Sequence, residues 1–219
     1  MATFPAGAEK AVGVAVFARA PAVGAVKTRL IPRLGAVRAA RLQRLLTRHA
    51  LATACTADIG GVALWGAPDG SHRFFRALQR RVGVALHSQS GDDLGARMAA
   101  AFATSAGPLL LIGADCPALQ ATHLVAAAGA LLGERGGGKH DAVLIPAEDG
   151  GYVLVGLNLP QPRLFENIDW GSDRVMVQTR QRLVESGLSW VELPVLWDVD
   201  RPVDLERLAT LEGFDAWQS

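Results

Sequence analysis

The sequence is poor in residues that staple or anchor a chain. Two cysteines, Cys55 and Cys116, stand in 219 residues. No disulfide framework is implied, and the expected setting is reducing and cytoplasmic. No run approaches the ~20 consecutive apolar residues of a membrane-spanning helix, so no membrane span is expected. The opening Met-Ala-Thr-Phe-Pro-Ala-Gly-Ala-Glu-Lys lacks the basic-then-apolar order of a secretory signal. The five histidines are scattered without zinc-ligand spacing. There is no internal repeat. No acid occurs between Glu9 and Asp58. Two common phosphate-binding loops are also missing: Gly24-Ala25-Val26-Lys27-Thr28 lacks the Gly-Lys-Thr adjacency of a P-loop, and no Gly-x-Gly-x-x-Gly run follows a strand.

What remains is a chain that is 50% hydrophobic, enough for one α/β domain over residues 1–219 with a sizeable core. Its organising stretch is Leu109 to Leu119. Four apolar residues, Leu109 to Ile112, show no polar alternation, as in a strand buried on both faces. Gly113 ends the run, and Pro117 prevents its continuation as helix or central strand. Asp115 is therefore expected just past the carboxyl end of a central strand, where open α/β sheets bind ligands. A solvated loop acid is the plain alternative.

Short apolar runs and amphipathic stretches alternate along the chain. Strands are expected at 12–17, 61–65, 82–87, 142–145, 152–157 and 188–193. Helices are expected at about 36–57, 71–80, 93–104, 122–132, 172–186 and 202–211. This alternation predicts a mostly parallel sheet with helices on both faces, an α/β/α sandwich. The Asp149-Gly150-Gly151 connection is too short for a parallel crossover, so the strand from Tyr152 should run antiparallel and make the sheet mixed. Gly133 to Lys139 reads as a flexible connection within the domain. Arg38, Arg41, Arg44 and Arg48 form a stripe on the long helix. No aromatic residues interleave with it, so a solvated face is favoured over a nucleic-acid patch, and no nucleic-acid partner is expected.

The net charge of +1 hides an asymmetry. Residues 1–110 carry 14 Lys and Arg against 5 Asp and Glu, and residues 111–219 carry 8 against 16. The basic half contributes Arg19, Lys27 and Arg29 immediately after the first strand. Charge-assisted donors of this kind suit phosphate oxygens, although surface cations look the same in a sequence. The acidic half contributes Asp115, Asp149 and the pair Asp198 and Asp200, each at a strand end. Hard carboxylate oxygens are what Mg²⁺ and Mn²⁺ prefer. Asp149 before Gly150 and Gly151 also reads as a turn, and Asp200 before Arg201-Pro202 as a helix cap. Cys116 has no histidine partner that would make it a nucleophile, and a small buried cysteine is the simpler reading.

Taken together, Phe17-Ala18-Arg19-Ala20-Pro21, Gly24, Lys27-Thr28-Arg29-Leu30, Gly35, Asp93-Leu94-Gly95-x-Arg97-Met98, Gly113-x-Asp115-Cys116-Pro117, Glu148-Asp149-Gly150-Gly151-Tyr152 and Asp198-Val199-Asp200-x-Pro202-x-Asp204-Leu205 resemble one family. It is a bacterial group of glycosyltransferase-like proteins, some linked with arsenosugar biosynthesis, within the nucleotide-diphospho-sugar transferase superfamily of GT-A fold. The resemblance spans about residues 12–211. Lys27-Thr28-Arg29-Leu30 is also similar to the phosphate loop of phospholactate guanylyltransferases. Asp200-x-Pro202-x-Asp204-Leu205 is similar to the closing motif of sugar nucleotidyltransferases.

These likenesses imply a Mg²⁺ or Mn²⁺ ion on Asp115 and Asp200, with Asp198 and Asp149 beside it. They imply a nucleotide or nucleotide-sugar donor and a small-molecule acceptor. Ala18, Arg19, Gly24, Lys27, Arg29, Gly150 and Gly151 would surround the phosphates, and Asp93 and Gly95 would border the nucleobase. Lys27 and Arg29 would neutralise the leaving phosphate, and Asp149 would serve the acceptor hydroxyl. In sugar nucleotidyltransferases the first loop is rich in glycine. Here it is Ala18-Arg19-Ala20-Pro21, stiffer and more cationic. Glycosyl transfer is the leading expectation, with nucleotidyl transfer from a triphosphate, or nucleotide binding without turnover, as alternatives.

Overall fold

The computed structural model describes residues 12–133 and 138–214. Seven strands form one mixed sheet: β1 (Gly13–Arg19), β2 (Val62–Ala67), β3 (Ala85–Ser88), β4 (Leu109–Gly113), β5 (Ala142–Pro146), β6 (Tyr152–Leu157) and β7 (Trp190–Glu192). Their spatial order is β3-β2-β1-β4-β6-β5-β7. Every pairing is parallel except the two made by β6, which runs antiparallel between β4 and β5. The short turn Glu148-Asp149-Gly150-Gly151 is the cause, since it can return the chain only beside its own strand.

Among the described residues there are seven α-helices: α1 (Ile31–Leu34), α2 (Ala36–Ala57), α3 (Arg73–Val82), α4 (Leu94–Ala103), α5 (Ala121–Leu132), α6 (Val175–Glu185) and α7 (Asp204–Leu208), the last lying after β7. The central strands bury both faces. Val14, Val16, Leu110 and Ile112 enter one core together with residues of α2, α3 and α5. Ala15, Phe17, Leu109 and Leu111 enter the other with Met98 and Phe102 of α4 and Met176 and Leu183 of α6. That is why neither β1 nor β4 shows polar alternation.

The expected elements are all present, with shifted ends. Val82 closes α3 and Gly83 caps it in the left-handed region, so β3 begins only at Ala85. The helix expected from Ser172 begins at Val175, after a turn in which Ser172 Oγ accepts from the Arg174 N–H. The last helix shortens to Asp204–Leu208. Leu42, Leu46 and Thr53 of α2 are buried and Leu45 is half-buried, while Arg38, Arg41 and Arg48 are exposed and Arg44 is half-buried, so the arginines lie on the outer side of the helix. Of the connection 133–139, residues 134–137 lie outside the described residues. No helix among the described residues is long and apolar enough to cross a membrane.

Candidate active site

Six strands share one direction, so their carboxyl ends share one edge of the sheet. Four of the segments that emerge there build the site: 20–30 after β1, 114–120 after β4, 147–151 between β5 and β6, and 193–203 after β7. The chain reverses its direction of strand addition between β1 and β4, which opens a crevice at their carboxyl ends. Asp115 lies on one bank of it and the basic loop on the other.

Lys27 takes a left-handed backbone, φ 48° and ψ 42°, which is uncommon for a residue with a Cβ. The turn sends its side chain inward, where it is only 5% exposed. Nζ donates to the Val199 carbonyl at 2.6 Å and lies 2.8 Å from Asp115 Oδ1. That Oδ1 is buried and receives no well-oriented hydrogen bond, so its contact with Lys27 is one of charge with charge. The Val199 N–H donates to the Asp115 carbonyl at 2.9 Å. One ammonium thus joins the loops after β1, β4 and β7. Two residues on, the exposed Arg29 guanidinium pairs with the Asp200 carboxylate.

The segment Trp197-Asp198-Val199-Asp200 alternates. Trp197 and Val199 are buried in a small cluster with Leu30, Leu42 and Leu205, which turns Asp198 and Asp200 toward the cleft. Asp198 has no hydrogen-bond or ion-pair partner among the described residues. Burial, then the charges of Asp149, Asp115 and Asp200, push its carboxyl up to about 6, against the opposing pull of Lys27. Asp149 Oδ1 accepts from the Gly151 N–H at 2.9 Å, as its turn composition suggested.

The cleft has two adjoining lobes that share Asp149, Gly171, Ser172 and Asp198. The polar lobe, about 470 Å³, is lined by Arg29, Glu148, Asp149, Asp173, Asp198 and Asp200 among others. The smaller one, about 250 Å³, takes in Asp115 and is walled by Leu94, Tyr152, Trp170 and Val175. Cys116 lies at its floor. Burial pushes that thiol up to about 12, which removes it as a nucleophile.

No three of the described His, Cys, Asp and Glu residues form a group that could hold a metal ion unaided. Magnesium usually binds through one or two carboxylates and completes its shell with water and substrate phosphate, so it needs no such trio. Asp198, which has no partner among the described residues, and the half-exposed Asp115 carboxylate, held by Lys27 alone, are hard oxygen donors at the cleft. This donor set fits a divalent cation that arrives with a phosphate ligand.

Other candidates have different surroundings. Arg19 is exposed at the end of β1 and has no ion-pair partner among the described residues. Ala18 is buried in the sheet core. Gly24 sits on an open turn at φ +83°. Gly150, at φ +92°, faces protein and not the cleft: a Cβ there would lie 2.2 Å from the Asp173 carbonyl oxygen. Its own carbonyl accepts from the Met176 N–H at 2.8 Å.

Asp93 and Gly95 have packing roles. Asp93 Oδ1 accepts from the Ala96 N–H at 2.7 Å and caps α4. Gly95 admits Trp170, whose ring would come within 2.8 Å of an added Cβ. Both line a separate shallow groove with Phe165 and Asn167, and only Leu94 between them reaches the cleft. Asp93→Ala is accordingly expected to cost about 1 kcal/mol in chemical denaturation, the usual worth of a cap. Nucleotide affinity, measured by calorimetry, should be unchanged.

Three features escape the sequence. One is the inward turn of Lys27. Another is the wall supplied by Trp170, more than 50 residues from the nearest cleft residue before β5. The third is Arg207, which makes two bonds to Glu148 at 2.6 and 3.1 Å and stacks 4.5 Å over Trp197, tying α7 to the β5–β6 turn. The alternation of Trp197 to Asp200 was a readable signal that both acids share a face.

Residues 50–172 match the profile of a family described as uncharacterized proteins conserved in bacteria (DUF2064), and the chain belongs to that family. A comparison with curated proteins found no match. Among solved structures, one from Desulfovibrio desulfuricans G20, provisionally described as a nucleotide-diphospho-sugar transferase, is 26% identical with a TM-score of 0.79. The match covers 93% of this chain and 89% of that one. Glucosyl-3-phosphoglycerate synthase from Mycobacterium tuberculosis, in complex with Mn²⁺, UDP and glucosyl-3-phosphoglycerate, matches at TM-score 0.56 and 12% identity, over 91% and 76% of the two chains. A cytidylyltransferase from Leptospira borgpetersenii matches at TM-score 0.54 and 15% identity, over 84% and 75%. The fold is that of the nucleotide-diphospho-sugar transferases.

Proposed function

We propose that this chain is a metal-dependent transferase that takes a nucleotide-activated donor, a nucleoside-diphosphate sugar, and passes the sugar to a small hydroxylated acceptor. The observation that carries the reading is the gathering of Asp115, Asp149, Asp198 and Asp200 around one cleft at the sheet's carboxyl edge, against a loop bearing Lys27 and Arg29. The likeness to the Desulfovibrio structure supports it.

Asp115 and Asp200 would hold Mg²⁺ or Mn²⁺, with Asp198 beside them and water and donor phosphate completing the shell. When bound, the ion would neutralise charge on the donor's diphosphate. The chain's own residues do the rest. Arg29 lines the cleft, Arg19 is exposed at the end of β1, and both would offer donors to phosphate oxygens as the bond from sugar carbon to phosphate oxygen breaks. Asp149 lines both lobes and would orient the acceptor hydroxyl and take its proton as the new carbon–oxygen bond forms. Leu94, Tyr152, Trp170 and Val175 keep the smaller lobe apolar and limit water at the reacting carbon.

A second reading is nucleotidyl transfer from a nucleoside triphosphate. The adjacency of Lys27 and Arg29 favours it, because two cations suit a pyrophosphate leaving group. The distinguishing experiment is turnover of a donor panel with Mn²⁺, in which a nucleoside diphosphate is expected from one nucleotide sugar.

A further inference from the structure

Two cations of this protein stand on two of the acids read above as metal ligands. Lys27 Nζ is 2.8 Å from Asp115 Oδ1, and its side chain is almost wholly buried. Arg29 pairs with Asp200. A lysine so buried would ordinarily be costly to keep charged, and here the Asp115 carboxylate and the Val199 carbonyl compensate it. The left-handed backbone at Lys27 is what aims the side chain at this spot. An ordinary phosphate-binding lysine would instead extend its ammonium into the open cleft.

We propose that Lys27 and Arg29 are resident cations that occupy Asp115 and Asp200 until a divalent cation and a diphosphate arrive together. The inference rests on the transferase reading of the same cleft. A divalent ion entering alone must displace an ammonium from Asp115 and a guanidinium from Asp200, and it leaves both without partners. A diphosphate entering alone meets cations already neutralised by carboxylates. When both enter, the ion takes the carboxylates and the released Lys27 and Arg29 turn to phosphate oxygens. Each ligand removes the cost that the other faces, so the two bindings are coupled, and the coupling is reciprocal. Without its donor, the cleft therefore resists loading by free metal.

The test is Mn²⁺ binding followed by electron paramagnetic resonance, with Mn²⁺ alone and with Mn²⁺ plus UDP, GDP, CDP, ADP or dTDP in turn. Lys27→Met keeps the volume of the side chain and removes its charge. Wild type is expected to bind Mn²⁺ weakly when alone, and more tightly with at least one nucleotide. Lys27→Met should bind Mn²⁺ alone at least ~5-fold more tightly than wild type, the lower end of ordinary coupling. If wild type shows nucleotide-dependent Mn²⁺ binding and Lys27→Met shows no gain for Mn²⁺ alone, the resident-cation inference is wrong and the transferase reading survives. Absence of Mn²⁺ binding to either protein under every condition overturns both.

A measurement on wild type guards against a variant that fails to fold. The chain has three lysines, Lys10, Lys27 and Lys139, so reductive methylation resolves them by mass spectrometry. Lys27 should be protected relative to Lys139, and saturating Mg²⁺ without nucleotide should raise its labelling several-fold. Labelling of Lys27 that Mg²⁺ leaves unchanged contradicts the inference.

Discussion

Asp198→Asn is expected to make the protein more stable and at the same time inactive. In the folded, metal-free protein the Asp198 carboxyl is pushed from 3.8 up to about 6, by burial first and then by Asp149 and Asp115. The folded chain therefore binds that proton more tightly than the unfolded chain does. By linkage, this group lowers stability as pH rises from about 4 through about 6, and the loss persists above. Asparagine carries no charge to bury, so the gain should be present at pH 7 and absent below about pH 4. A shift of this size corresponds to roughly 2 kcal/mol after allowance for partial solvent exposure. In a chain of this length that is ~4–8 °C in Tm. Thermal melts in a chelator at pH 4 and pH 7.5 would show it. Mn²⁺ with nucleotide should then stabilise wild type far more than the variant. Turnover should fall by ~100-fold or more, because a carboxylate at the proposed metal position is lost. Equal stability at both pH values, or full activity, would show that Asp198 is an ordinary surface acid.

Gly150→Ala should have the largest structural effect of any single methyl group added at the cleft. Two costs coincide there. The backbone is at φ +92°, and the new Cβ would lie 2.2 Å from the Asp173 carbonyl oxygen, a backbone atom that cannot swing aside. Strain and overpacking together predict roughly 3 kcal/mol of destabilisation. Relief requires moving the segment that carries Gly171, Ser172 and Asp173, the shared wall of both lobes. Gly24→Ala is the control. It has the same kind of backbone, φ +83°, with nothing within 4 Å of the added carbon, and it should cost only about 1 kcal/mol. If the two variants unfold at the same denaturant concentration, the close approach of Asp173 is not a real constraint.

The fold was readable because its determinants are local. Ala36 to Ala57 carries a helical apolar face along its whole length, and the helix has those ends. The uninterrupted apolar run of β4 announced burial on both faces, and the short Asp-Gly-Gly turn announced the reversal of β6. Asp115 could be placed because Gly113 and Pro117 bracket it. What stayed hidden depends on contacts distant in sequence. The ammonium of Lys27 meets a carboxylate 88 residues away and a carbonyl 172 residues away. Its composition reads as a phosphate loop, and only the left-handed turn reveals that it points inward. Gly150 looked like a glycine for ligand approach, yet the chain that approaches it is the protein's own. Asp93 and Gly95 border a helix start whose purpose in the structure is capping and packing. In each case the residue type was informative and its partner was not.

Phosphorus NMR of one reaction mixture shows whether this cleft breaks the sugar–phosphate bond of a nucleotide-activated donor, as we propose. The mixture holds the protein, Mn²⁺ at a level low enough to limit line broadening, and a small hydroxylated acceptor. UDP-, GDP-, CDP- and dTDP-sugars are added in turn, with the matching triphosphates in parallel. The account predicts that one nucleotide sugar gives its nucleoside diphosphate, that a chelator stops the reaction, and that Asp115→Asn abolishes it. Acceptor-dependent release of pyrophosphate from a triphosphate, with every nucleotide sugar left intact, would contradict it.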